Sequence, residues 1–75
     1  QGNTAEAAAE YRELIRRYPG DPRPYNNLGR LLLGEGKIAE AIPLFREALR
    51  LKPDYGQARL NLEEAVLQLL ETETP

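Results

Sequence analysis

The chain repeats itself. Residues 5–19 laid on residues 39–53, a shift of 34, give seven identities in fifteen positions: Ala5/Ala39, Glu6/Glu40, Ala7/Ala41, Arg12/Arg46, Glu13/Glu47, Arg16/Arg50 and Pro19/Pro53. Tyr11 falls on Phe45 in the same register, and the same shift carries Asn27 onto Asn61, Leu28 onto Leu62, Leu32 onto Val66 and Leu33 onto Leu67. Self-similarity at such a period marks units too small to bury an apolar face alone, which bury one another's faces by stacking. A chain of 75 residues and 8.5 kDa has room for one such domain.

Helix signals divide that domain into four helices with short turns. Asn3 or Thr4 can cap the first, with Glu6 three residues after Asn3, and Pro19-Gly20 stops it. Asp21 caps a second helix, whose first turn tolerates Pro22 and Pro24 because those early N–H groups have no acceptor within the helix. It ends at Gly34-Glu35-Gly36. The third runs from about Ile38 to Leu51 with Ile38, Ala41, Ile42, Phe45, Ala48 and Leu49 on one face, and Pro53 terminates it. Pro43 removes one backbone bond there and is expected to bend the helix without breaking it. Asp54 with Gln57 opens the fourth, which places Ala58, Leu62, Ala65, Val66, Leu69 and Leu70 together. The tail at 71–75 is expected to fray.

Composition removes whole classes of chemistry. With no Cys, His or Ser, this sequence has no disulfide, no thiolate or imidazole metal site, and no Ser-His or Cys-His nucleophile. No cofactor or metal is expected. No apolar run exceeds three residues, the length of the leucine run at residues 31–33, far below the roughly 18 residues of a membrane span. Ten basic against twelve acidic side chains leave a net charge of -2, without the basic stripe that nucleic acid requires. The expectation is a domain with neither nucleic acid nor membrane as a partner, and a cytoplasmic location.

Tyr25-x2-Leu28-Gly29-x2-Leu32, followed by Ala41-x3-Phe45, Ala48 and Pro53, resembles one complete tetratricopeptide repeat over residues 22–55. Residues 4–18 resemble the second helix of a preceding repeat, and residues 56–70 the first helix of a following one. The resemblance implies an all-α fold of four antiparallel helices in an α-solenoid arrangement, stacked with a right hand. Small residues at Gly29 and Ala41 set the helix spacing, and Tyr25, Leu28, Phe45 and Leu49 fill it. The fourth helix departs from the pattern with Arg59 and Glu63 where Tyr25 and Gly29 stand, which suits a solvated terminal cap.

In arrays of this family the first helix of each unit lines a concave side, and the resemblance implies protein or peptide recognition there. Helical spacing puts Arg23, Asn26, Asn27, Arg30 and Leu33 on one face of the second helix, opposite its packing residues. Gln57, Leu60, Asn61, Glu64 and Leu67 fall on the matching face of the fourth. Asn27 and Asn61 offer a donor and an acceptor each, suited either to a peptide backbone or to a neighbouring helix. Arg23 and Arg30 suit a carboxylate, a phosphate or simply solvent. Leu33, Leu60 and Leu67 form a candidate apolar strip. The family's carboxylate clamps use lysines and asparagines from three inner helices, whereas this chain has two such helices, with Leu60 and Asn26 where basic side chains would serve.

The leading expectation is a noncatalytic interaction module or scaffold. A second is self-assembly through Ala5, Ala8, Ala9 and Tyr11 of an uncovered first helix, as a homo-oligomer or by helix exchange. A third is an accessory segment of a larger enzyme. Adjacent acids such as Glu63 and Glu64 point about 100° apart and have no partner base or nucleophile, so no catalytic residue is expected.

Overall fold

Prolines and glycines cut the chain into four helices, and the computed structural model, which describes residues 2–73, places them as α1 (Gly2–Arg17), α2 (Pro22–Gly34), α3 (Ile38–Leu51) and α4 (Gly56–Glu73). α1 stops at Pro19-Gly20, where the Tyr18 N–H still bonds the Leu14 carbonyl at 2.8 Å and the Asp21 N–H closes the turn on Tyr18 at 3.0 Å. Asp21, in extended backbone, caps α2 by accepting from the Arg23 N–H at 3.0 Å, with Pro22 just behind it at the helix start.

The end of α2 shows why Gly36 is glycine. The Lys37 N–H reaches the Leu32 carbonyl at 2.9 Å, and the Gly36 N–H reaches Leu33 at 3.0 Å. That paired closure needs a left-handed residue, and Gly36 has φ +82°. α3 continues unbroken through Pro43, whose ring lies on the exposed side.

Three local expectations are corrected. α1 already begins at Gly2, so Asn3 and Thr4 lie inside its first turn and are not its caps. The Asp54 carboxylate accepts from Lys52 Nζ at 3.1 Å and does not cap α4, whose first turn is closed instead by the Arg59 N–H on the Tyr55 carbonyl at 3.1 Å. α4 runs on to Glu73, taking in residues 71–73 of the tail expected to fray; residues 74–75 lie outside the described residues.

Each helix packs on the next, and α4 also reaches back to α2. The most extensive contact joins α2 and α3, the two halves of the complete repeat. One apolar cluster runs through all four helices: Ala8 from α1, Leu28 and Leu32 from α2, Ala41, Ile42 and Phe45 from α3, and Ala65 from α4. Ala41, Ala48, Ala58 and Ala65 are fully buried. Small side chains at these contacts let the helices approach closely, while Phe45 supplies the bulk between them. The outcome is a thin slab of 41 × 33 × 14 Å. Among the described residues, no helix is long and apolar enough to cross a membrane.

The repeat reappears as repeated contacts. Arg16 donates to Glu13 through Nε at 3.1 Å, and one period later Arg50 donates to Glu47 at 3.0 Å. These are exposed pairs that lower the pKa of both glutamates, chiefly by hydrogen bonding, and add little to stability.

Candidate functional site

α2 and α4 occupy equivalent places in consecutive units, and their paired faces carry the side chains with free polar chemistry. Arg23 is not among the free ones. Its guanidinium grips Asp21 with Nε to Oδ1 at 3.0 Å and Nη2 to Oδ2 at 2.8 Å, and this two-pronged bond holds the Asp21 carboxyl below its ordinary value. Arg30 is exposed and makes no ion pair or side-chain hydrogen bond among the described residues. It lines an open hollow of about 230 Å³ together with Gln57, Leu60 and Asn61.

Asn27 and Asn61 differ in their surroundings. Asn27 is half-buried, makes no side-chain hydrogen bond among the described residues, and lines a separate hollow of about 420 Å³ with Leu14, Tyr18, Asp21, Arg23 and Pro24. Asn61 donates from Nδ2 to Asn26 Oδ1 at 2.9 Å, a bond between neighbouring helices. The structure therefore brings Asn61 to Arg30, Gln57 and Leu60, and sets Asn27 with Arg23 in a different hollow.

Asn26 is the clearest correction to the expected outward face. It is fully buried, accepting from Asn61 on one side and donating from Nδ2 to the Tyr55 hydroxyl at 3.5 Å on the other. Leu33 is corrected too: it is half-buried and packs against the core cluster, leaving Leu60 and Leu67, 66% and 59% exposed, as the open leucines of the strip. Leu67 borders a third hollow, of about 460 Å³, with Leu62, Glu63 and Val66. Glu64 is exposed and accepts from Gln68 Nε2 at 2.7 Å, one turn further along α4.

On α1 the expected uncovered face is partly covered. Ala8 belongs to the core cluster and Tyr11 packs against it, because α2 lies on that side; Ala5 and Ala9 face outward. The open apolar side chains of this end are Leu14 and Tyr18, near the helix C-terminus. Arg59 and Glu63, in the places of Tyr25 and Gly29, are both exposed.

Tyr55 escaped the sequence reading although it holds the buried amide. It follows α3 in a turn, where helical periodicity gives no direction, and its repeat equivalent is Asp21, a residue of different chemistry. The 34-residue register alone could have marked it as a structured position next to a helix start. Among the described residues, no group of three or more acidic side chains is placed to hold a metal ion. The wall carries the Arg30 guanidinium, without an internal partner among the described residues, the bonded amide pair Asn26 and Asn61, and the exposed Leu60 and Leu67.

Comparison with known proteins agrees with this architecture. A family model described as tetratricopeptide repeat matches residues 1–56 and again 26–69. Over 73 residues the chain is 36% identical to the TPR repeat-containing thioredoxin TTL4 of Arabidopsis thaliana, covering 97% of this chain and 11% of that protein. It is 32% identical over 68 residues to the heat shock protein sti1 homolog of Schizosaccharomyces pombe, covering 91% of this chain and 12% of that one. The chain thus spans roughly a tenth of the length of these relatives. No solved structure matches it.

Proposed function

We propose, from the premise that this chain belongs to the tetratricopeptide repeat family, that it is a noncatalytic interaction module which binds an extended, acidic protein segment along the wall formed by α2 and α4. Repeats of this family generally mediate protein–protein interaction, and stacked helical units do so by presenting long open surfaces. The finer reading rests on one observation: Arg30, exposed and unpaired, shares a hollow with the amides of Gln57 and Asn61 and the exposed Leu60.

Each member of that group has a distinct use. A guanidinium without an internal partner attracts a carboxylate without first giving up a bond, unlike Arg23, which would have to release Asp21. Asn61 and Gln57 suit the backbone of an extended segment, and Leu60 suits an apolar side chain beside the acidic one. Asn27 and Arg23 line a second hollow, which also takes in Leu14 and Tyr18 from the α1 end. Two inner helices make a short groove, so affinity is expected to be modest.

The test is a panel of capped peptides of matched length with acidic, neutral or basic side chains, titrated against the chain by fluorescence anisotropy. Acidic peptides are expected to bind best, with affinity falling as salt rises, and Arg30→Glu should weaken them by roughly tenfold. Equal binding of acidic and basic peptides, or indifference to Arg30→Glu, overturns the reading.

A further inference from the structure

The hollow beside α1 has a filled counterpart one period later. A shift of 34 takes Leu14, Tyr18, Asp21, Pro24 and Asn27 of its lining to Ala48, Lys52, Tyr55, Ala58 and Asn61. At that second place α2 supplies the filling: Asn26 is fully buried, bonded to Asn61 at 2.9 Å and to the Tyr55 hydroxyl at 3.5 Å, and Ala48 and Ala58 are closed off from solvent. At the first place Leu14 and Tyr18 stay 39% and 56% exposed. The helix that matches α2 in the repeat is α4, and the residue that matches Asn26 is Leu60, itself 66% exposed. Seat and plug differ in step. The filled seat offers a hydroxyl and an amide to an amide; the open one offers leucine and tyrosine, with Asp21 already engaged by Arg23, and its matching plug is a leucine.

We infer that α4 of a second copy seats on α1 and α2 as α2 seats on α3 and α4, with Leu60 against Leu14 and Tyr18, so that copies of this chain stack head to tail. The contact continues the one already made inside the chain. It also covers the hollow at Leu62, Val66 and Leu67, whose counterparts Leu28, Leu32 and Leu33 pack in or against the core cluster. Asn27 keeps its access to water, as its counterpart Asn61 is half-buried and still lines an open hollow with α2 alongside. Glu63 limits the fit. It stands where Gly29 meets the Phe45 ring, and the counterpart of that ring is Tyr11, so its carboxylate keeps the two copies from closing as tightly as α2 and α3 and makes the association weak. Because two different faces meet, a pair leaves one of each free, and growth is open-ended. This inference does not rest on the peptide-binding reading, although both use Leu60.

The experiment is sedimentation of the full chain from micromolar to millimolar concentration, beside Leu14→Lys, Leu60→Lys and Glu63→Ala, all at exposed positions, with a thermal melt of each to establish that it is folded. The wild-type mass should rise with concentration and pass that of a dimer. Leu14→Lys and Leu60→Lys each block one end and should each weaken self-association by roughly tenfold, since a charge then faces an apolar seat or plug. Mixed in equal amounts, these two variants should form a one-to-one pair as strong as the wild-type contact, because the mixture still holds one intact seat and one intact plug. Glu63→Ala should strengthen the assembly by roughly threefold or more, as a carboxylate no longer has to be covered. A wild-type chain that stays monomeric up to millimolar concentration overturns the inference. So does pairing of α1 with α1 of a second copy, which Leu14→Lys would weaken, Leu60→Lys would leave intact and mixing would not restore. Weakening of the assembly by Glu63→Ala overturns it as well.

Discussion

The Phe45 ring occupies the space in which a Gly29 side chain would begin: a Cβ at Gly29 would lie 2.6 Å from Phe45 Cε1 and 2.9 Å from Cδ1. The ring cannot easily yield, because Phe45 is fully buried and Ala41 and Ala65 of the same core are also closed off from solvent. Close packing of α2 on α3 thus depends on one missing side chain in α2 and one large side chain in α3.

Gly29→Ala sets two effects against each other. Alanine favours an interior helix position over glycine by about 1 kcal/mol, while overpacking a closed core costs roughly 1–3 kcal/mol. The shortfall from ordinary contact distance decides for overpacking, so a net loss of about 1 kcal/mol is expected, read as a lower urea midpoint. Phe45→Leu in the same chain should remove most of the Gly29→Ala penalty, since the two residues meet directly. A Gly29→Ala midpoint equal to or above that of the wild type contradicts the account.

Tyr25 and Arg59 do one job with different chemistry. The Tyr25 hydroxyl donates to the Pro19 carbonyl at 3.0 Å, and one period later Arg59 Nη2 donates to the Pro53 carbonyl at 3.1 Å. Each ties the start of an inner helix to the turn before it. Tyr25→Phe and Arg59→Leu should each cost about 0.5 kcal/mol, the low end for a hydrogen bond because both sites are open to water. Arg59→Tyr should retain stability by restoring the hydroxyl donor. Thermal melts of the three variants test this; an Arg59→Tyr melt below that of Arg59→Leu removes the equivalence.

The fold was legible in the sequence because its punctuation acts locally. Pro19-Gly20, Gly36 and Pro53 end helices through their own backbone chemistry, and the 34-residue register relates one unit to the next. The wall was less legible. A helical wheel divides a helix into one packing face and one open face, yet α2 touches α1, α3 and α4. The wheel therefore puts Asn26 and Leu33 on the open face, although Asn26 is buried against Asn61 of α4 and Leu33 packs on the core. Ala8 fails in the same manner, since an alanine-rich helix does not reveal on which side its neighbour lies. Tyr55 sits in a turn, beyond the reach of periodicity.

The paired carboxylates predict a shallow acid limb. The Arg23 hydrogen bonds hold the Asp21 carboxyl below its ordinary value of 3.8, and Lys52 does the same for Asp54. A carboxyl whose folded-state pKa is depressed contributes its stability above the unfolded value and loses it as pH falls through the folded one. Melting temperature should therefore hold steady on acidification down to the ordinary carboxylate range and decline below it, with salt reducing the effect because these pairs face solvent. Asp21→Asn keeps the helix cap but should remove the Asp21 share of that decline, whereas Asp21→Ala should also lose about 1 kcal/mol at neutral pH through the missing cap. Melts from neutral to acidic pH check both, and an Asp21→Asn profile identical to the wild type refutes the Asp21 part.

Leu33 and Leu67 are related by the repeat but separated by burial, which makes them a direct test of where the core ends. Leu33 is half-buried and packs on the central cluster; Leu67 is 59% exposed at the margin of α4. Truncating a fully buried leucine costs about 2–5 kcal/mol, and partial burial scales that down, so Leu33→Ala should lose roughly 1–2 kcal/mol. Leu67→Ala should stay within about 0.5 kcal/mol. Sequence equivalence alone would assign both residues the same loss, since each lies on the same face of its helix in the same place of the repeat. Urea denaturation of the two variants separates these accounts: unequal midpoints, with Leu33→Ala the lower, follow from α4 covering α2 while no further helix covers α4 among the described residues. Equal midpoints would mean that Leu67 is covered in solution to the same extent as Leu33, and sedimentation of the wild-type chain would then show whether a second copy provides the cover.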